Sequence, residues 1–232
     1  SKVITDLEYT TEVLAVKCRE NRIIVSLYHK TFVYNFENLR LQHQYETFPN
    51  PKGICDLSLD GNVLAVLGSK MGDVRVENLA SGRSHIIHAH QNDLSQITVS
   101  QDGQLMATTS KKGTLVRIWD TASGRMVKEL RRGLDPVNIT SLSFNSNHTS
   151  LCVASDKGTV HIYSLIPRTD LDRYKKNKKS PLSFMSGFLP TYFSSEWSYF
   201  SFSVPFFRKG KCAFSLDDPK SIIVLTEQGR YY

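Results

Sequence analysis

Two adjacent arginines in Leu130-Arg131-Arg132-Gly133 are the side chains of this 232-residue chain best suited to chemistry. A guanidinium presents a rigid fork of N–H donors that matches the oxygens of a phosphate. The pair ends a run, Met126 to Arg131, that reads as a strand. Successive side chains of a strand point to opposite sides. Two arginines in a row therefore cannot easily serve one compact anion, but they can serve two, one on each side. A solvated edge pair that discourages sheet-to-sheet association would use the same residues, so the flanking residues must decide.

The flanks supply what two anion pockets need. Before the pair stand His90, Thr108, Ser110, Gly113, Thr114 and Arg117. Gly113 lets backbone N–H groups approach an anion with no side chain in the way. Thr108, Ser110 and Thr114 offer hydroxyls, Arg117 offers a second fork, and His90 adds a donor that is stronger when protonated. His90, Ser110 and Thr114 would also suit an internal hydrogen-bond network that serves only the fold. After the pair, Gly133, Ser155, Gly158, Thr159 and His161 form the matching set, with Lys157 in the turn. No arginine corresponds to Arg117 there. The two pockets are therefore expected to differ in affinity.

The elements that must position these groups are short β-branched and aromatic runs between glycines and polar turns; helical periodicity is nearly absent. Leu64 to Val74, Leu105 to Leu115 and Leu151 to Val160 align as repeats. Their turn glycines Gly72 and Gly113 are 41 residues apart, and Gly113 and Gly158 are 45 apart. A period in the low forties, four strands per unit and Ile118-Trp119-Asp120 closing a third strand predict an all-β, WD40-type β-propeller. The expected organisation is a single domain over 1–232, with about four full blades plus partial ones. An open arc leaves sheet faces uncovered, so the repeat arithmetic predicts about two further blades ahead of residue 1. Consecutive blades are neighbours in space. Each arginine can thus complete one pocket, one blade apart.

Gly158 and the matching Gly229 are 71 residues apart, which implies an insertion at about 167–195. Its basic first part holds Arg168, Arg173, Lys175, Lys176, Lys178 and Lys179, and it continues with Phe184, Met185, Phe188, Leu189, Tyr192 and Phe193. Cations for anionic headgroups and apolar side chains for the acyl boundary suit a membrane interface. A loop whose aromatics fold back on the propeller would share that composition. Trp197 to Val204 is expected to close the fourth blade.

Net charge is +7 and the pI is near 9.2. Such a balance fits an anionic membrane or nucleic acid, but no reading helix, zinc finger or RNP motif is present, so nucleic acid is not the expected partner. Cys18, Cys55, Cys152 and Cys212 lie in apolar runs without a Cys-x-x-Cys, as buried hydrophobes of a reducing compartment do. Residues 1–6 carry no secretory signal, and no run reaches the roughly 18 apolar residues of a membrane span. Ser95, near His90 and Asp93, has no nucleophile turn around it, and no metal-ligand spacing appears. The expectation is a binding protein, not an enzyme, without metal or cofactor.

Ser110 to Thr114, Ser155 to Thr159, Leu130 to Gly133 and the long loop ending near Trp197 together resemble the PROPPINs, β-propellers that bind phosphoinositides and are called WIPI proteins in animals. Residues 113–120, 157–162 and 188–197 look like the third and fourth animal members and their yeast homologue; Asn50-Pro51-Lys52-Gly53 belongs to the likeness. The resemblance implies a seven-bladed propeller with this segment at blades three to seven. It implies two sites for phosphatidylinositol 3-phosphate or the 3,5-bisphosphate, Arg131 serving the first and Arg132 the second, with the inserted loop entering the membrane between them. It implies a cytoplasmic adaptor peripherally bound to preautophagosomal, endosomal or vacuolar/lysosomal membranes. Its partners would be other autophagy proteins, the autophagy lipid-transfer protein among the candidates. A WD-repeat interaction scaffold without lipid dependence is the alternative.

Overall fold

The structure, a computed structural model, describes residues 6–166, 176–179, 195–205, 208–218 and 220–232. The first blade is β1 (Ala15–Cys18), β2 (Arg22–Ser26), β3 (Lys30–Asn35) and β4 (Leu41–Glu46), in that spatial order. The second is β5 (Cys55–Leu57), β6 (Val63–Leu67), β7 (Asp73–Asn78) and β8 (Arg83–His88). The third is built on β9 (Leu94–Val99), β10 (Leu105–Ser110), β11 (Leu115–Asp120) and β12 (Met126–Arg131). Three strands of the fourth follow: β13 (Ile139–Phe144), β14 (Ser150–Ser155) and β15 (Thr159–Ser164). The insertion contributes β16 (Lys178–Lys179) and β17 (Glu196–Trp197), and β18 (Phe200–Ser203) then completes the fourth blade against β15. A last antiparallel pair is β19 (Lys211–Phe214) and β20 (Ile222–Leu225).

The first strands of successive blades pack on one another, β1 on β5, β5 on β9, β9 on β13 and β13 on β19. Each sheet therefore stands with its first strand at the centre and its fourth at the rim. Burial follows that gradient: β10 and β14 are buried almost throughout, whereas β4 is exposed along nearly its whole length. The apolar core lies between blades. Val74, Val76 and Ile87 of the second meet Leu94, Ile97, Met106 and Trp119 of the third. Ile118 and Leu130 of the third meet Ile139, Leu151, Val153 and Tyr163 of the fourth. Each such side chain contributes about 1.5–3 kcal/mol on burial, so neighbouring blades are held face to face and their edges keep a fixed spacing.

One strand is unanticipated and two expectations change. Leu41–Glu46 is a strand although its LQHQYE composition gives little strand signal; the open edge of β3 recruits it by ladder hydrogen bonding. Cys18 is exposed, because β1 alternates and Cys18 falls on the outward parity; Cys55, Cys152 and Cys212 are buried. Of Trp197–Val204, expected to close the fourth blade, Phe200–Ser203 does so, but Trp197 and the preceding Glu196 do not. They pair in parallel with Leu130 and Arg131 of β12, and β16 pairs with them in turn, so the third sheet has six strands. The rim strand β12 presents unpaired N–H and C=O groups, and the returning insertion satisfies them.

Candidate anion-binding site

The hairpin turn between β10 and β11 places the first set of groups at one end of the third blade. Thr108 and Arg117 are cross-strand partners, and Leu115 stands opposite Arg131. Arg117, Leu115, Glu129 and Arg131 therefore share one face, the face turned toward the second blade, where the Arg117 Nη1 donates to the Ala89 carbonyl. A cleft of about 280 Å³ opens there, lined by His90, Gln91, Asn92, Ser110, Lys112, Thr114, Leu115, Arg117 and Arg131.

The cleft gathers five of the seven residues expected at the first site, and the other two stand behind it. Thr108 is fully buried, and its hydroxyl accepts a hydrogen bond from Trp119 Nε1 at 2.9 Å. It lies 3.0 Å from His90 Nε2. Because the indole can only donate, the Thr108 hydrogen is free to go to His90 Nε2, which puts the ring proton on Nδ1. Thr108 thus orients His90 and faces away from any ligand. Gly113 is no opening for an anion: its N–H bonds to the Ser110 carbonyl, and a Cβ there would stand 2.1 Å from the Val137 carbonyl oxygen. Its role is to let the turn pack on the strand leading into the fourth blade. Gly158 repeats this, with its N–H on the Ser155 carbonyl.

The arginines are built in, not solvated. Arg131 is 5% exposed, and its Nε donates to Ser195 Oγ at 3.0 Å. Its carbonyl accepts from the buried Tyr163 hydroxyl at 2.9 Å, which ties the pair to the fourth blade. Arg117 is held by Glu129, Nε to Oε2 at 3.0 Å, so part of its charge is answered inside the chain. Arg132 has the opposite parity. Its Nε donates to the Gly113 carbonyl and its Nη2 to the Asp135 carbonyl. Burial lowers its pKa, while Tyr163, Asp135 and Asp156 favour its charge.

Around Arg132 the second set is looser. Ser155 and Thr159 hydroxyls bond each other at 3.0 Å, and His161 Nδ1 lies 3.1 Å from Ser198 Oγ. Gly133 is open, with nothing within 4 Å of a Cβ built on it. Sequence reasoning missed Gln91, Asn92 and Lys112 at the first cleft, and Asp135 and Asp156 beside Arg132. Lys112 was legible as a cation in the same turn; the carboxylates near Arg132 needed the fold. Of the insertion, Lys176, Lys178 and Lys179 are exposed; Lys175, Phe184, Met185, Phe188, Leu189, Tyr192 and Phe193 lie outside the described residues.

Both histidines are neutral at pH 7. Burial, and then the Arg117 charge, push His90 down to about 4. Burial, and then Arg132, push His161 down to about 4. The donor strengthened by protonation, expected for His90, is therefore not the resting form. In the unfolded chain a histidine titrates near 6.5. Between about pH 6.5 and pH 4 the unfolded state binds more protons, so stability is full above that window and falls as pH drops through it. The deeper His90 accounts for up to about 3 kcal/mol of this loss. A melting series from about pH 7 to about pH 4.5 should show Tm falling steadily; a flat Tm contradicts the neutral assignment.

An all-β arc of radially arranged antiparallel sheets, with basic groups at the rim ends of two consecutive blades, defines a β-propeller with a basic periphery. The PROPPIN family model matches residues 1–216, and the chain belongs to the PROPPIN family. Autophagy-related protein 18e of Arabidopsis thaliana is 35% identical over 205 residues, which are 87% of this chain and 54% of that protein. The chain spans about half the length of the curated relatives it matches. Among solved structures, Kluyveromyces lactis Hsv2 superposes with a TM-score of 0.77 at 22% identity, covering 97% of this chain and 68% of that one. A complex of KlAtg21 with the coiled-coil of AgAtg16 gives 0.71 at 22% identity, covering 98% of this chain and 67% of that one.

Proposed function

We propose that this chain carries two phosphoinositide sites of a peripheral membrane adaptor that acts in autophagosome formation and in endosomal or vacuolar traffic. The observation that supports it best is the opposite parity of Arg131 and Arg132, one lining a basic cleft on the second-blade side and the other held by the Gly113 and Asp135 carbonyls, where its charge is felt by His161 of the fourth blade. The ligands that fit are the headgroups of phosphatidylinositol 3-phosphate and the 3,5-bisphosphate. At the first cleft, Arg131, Arg117 and Lys112 supply charge, Ser110 and Thr114 supply hydroxyls, and His90 supplies a neutral ring N–H. At the second, Arg132 acts with Ser155, Thr159 and His161 against the nearby carboxylates Asp135 and Asp156. It is the weaker of the two.

Neither set is a reaction centre; the chemistry is recognition. Each site alone is weak because a headgroup held in an open cleft stays in contact with water and salt, which screen its charge. Two sites on one membrane raise the effective concentration of each for the other, and the lysines at 176–179 extend the basic surface. Flotation with vesicles carrying about 5% of either lipid should recover the protein, and raising salt from about 0.1 M to about 0.5 M should cut recovery several-fold as the Debye length shortens. Recovery equal to that with plain phosphatidylcholine vesicles would reject the lipid reading. It would leave the lipid-independent WD scaffold, a reading supported by the complex of the Atg21 neighbour with a coiled-coil.

A further inference from the structure

The insertion returns to the third blade through a side-chain network that its strand pairing alone does not require. Asn177, 4% exposed, brackets the end of β15: its Oδ1 accepts from the Ser164 N–H at 2.8 Å, and its Nδ2 donates to the Ser164 carbonyl at 2.7 Å. The same Nδ2 reaches Glu196 Oε2 at 2.8 Å. That carboxylate oxygen also meets Lys128 Nζ at 3.4 Å, and both charged side chains are largely buried, 15% and 20% exposed. Lys128 spends its other donors on the carbonyls of Ser164 and Ile166, at 3.4 and 3.3 Å. Ser195, 2% exposed and next to Glu196, accepts from Arg131 Nε at 3.0 Å.

These contacts form one path. It runs from the point where the insertion leaves β15 (Ser164), through its outbound stretch (Asn177), to its return (Glu196, Ser195), and ends on the guanidinium that lines the first cleft. Covering the rim of β12 needs only backbone ladder bonds. A buried ion pair bonded to two carbonyls and an amide contributes little net stability but fixes one geometry. Arg131 lines the cleft and its Nε is bonded to Ser195, so the position of residue 195 is one determinant of how its fork is held.

We propose that Asn177, Glu196 and Lys128 are positioning residues: they fix the two arms of the insertion between Lys128 of the third blade and the end of β15 in the fourth and, through Ser195, aim Arg131 at the anion of the first cleft. The inference rests on the lipid reading and deepens it, since it joins the insertion's base to the guanidinium of the first site, whereas at the second site that base reaches only His161, through Ser198. A purely structural clamp would affect both sites alike.

The test separates the two sites in the full-length protein. Arg132→Thr leaves the first site and Arg131→Thr leaves the second. Each parent is titrated with soluble inositol 1,3-bisphosphate, with and without Asn177→Ala. In the Arg132→Thr parent, Asn177→Ala should weaken headgroup binding about five- to tenfold. In the Arg131→Thr parent it should change binding by less than about twofold. The isosteric Glu196→Gln, which keeps the shape and removes the charge, should repeat the selectivity if Asn177→Ala impairs folding. Equal weakening in both parents, no weakening in either, or no binding by the Arg132→Thr parent overturns the proposal. Failure of the unmutated protein to bind the headgroup or the lipid vesicles overturns the lipid reading itself.

Discussion

Replacing Arg131 and Arg132 together by threonine should remove vesicle binding, lowering affinity by about a hundredfold to ten-thousandfold. A hydrogen bond from a charged donor contributes about 1.5–3 kcal/mol. Loss of one such contact at each of two sites costs about 3–6 kcal/mol, and every 1.4 kcal/mol is about tenfold. Avidity disappears with the second site, so the vesicle effect exceeds either headgroup effect. The substitutions are not equivalent. Arg131 is almost fully buried and bonded to Ser195, so its loss also disturbs the base of the insertion. Arg132 is only partly buried and bonds two carbonyls, so Arg132→Thr is the cleaner single test of charge. Lysine at both positions keeps the charge and loses the planar fork, and should retain part of the binding. Flotation on phosphatidylinositol 3-phosphate vesicles, run beside thermal melts, checks the prediction; unchanged recovery by the double variant refutes it.

Gly113→Ala should cost at least about 3 kcal/mol of stability and weaken both sites. Gly113 has φ +61°, a left-handed conformation that costs an L-residue roughly 1–2 kcal/mol. A Cβ there would also stand 2.1 Å from the Val137 carbonyl oxygen and 3.1 Å from its carbon. Those are backbone atoms and cannot rotate away, so the turn from Ser110 to Thr114 must lift off. That turn carries Ser110, Lys112 and Thr114 of the first cleft, and the Gly113 carbonyl holds Arg132 Nε. For a chain of this size each kcal/mol lowers Tm by about 2–4 °C, so a fall of about 6–12 °C is expected. Gly133→Ala is the contrast. Nothing lies within 4 Å of a Cβ there, and stability should change by less than about 0.5 kcal/mol. Equal melting of Gly113→Ala and the unmutated protein would show that the turn can relax.

Much of the fold is legible in the chain because inner strands are buried on both faces. Val63–Leu67, Leu94–Val99 and Leu105–Ser110 must be apolar or small along their length, and composition displays that requirement. Rim strands carry no such demand. Leu41–Glu46 has one residue short of full exposure, so its membership of the first blade depends on the edge of β3 and not on its own side chains. Glu196–Trp197 is harder still, since two residues carry no periodicity and their partner is a neighbouring blade.

For the site, residue types and spacing determined the local facts. Two arginines at the end of a strand take opposite sides because the pleat has period two, and the repeat of turns one blade apart follows from chain order. Sequence by itself thus established a propeller and two basic groups of opposite parity. Only the tertiary structure decided which hydroxyls face the cleft and which are consumed behind it. Thr108 and Ser110 are two residues apart on one strand, yet Thr108 is claimed by Trp119 and His90 while Ser110 lines the cleft. It decided that both histidines are neutral, because burial and a neighbouring arginine are properties of packing. It also decided that Ser195, 64 residues beyond Arg131, holds the guanidinium. A hydrogen bond depends on distance in space, and that distance exists only once the insertion has returned to the rim of the third blade.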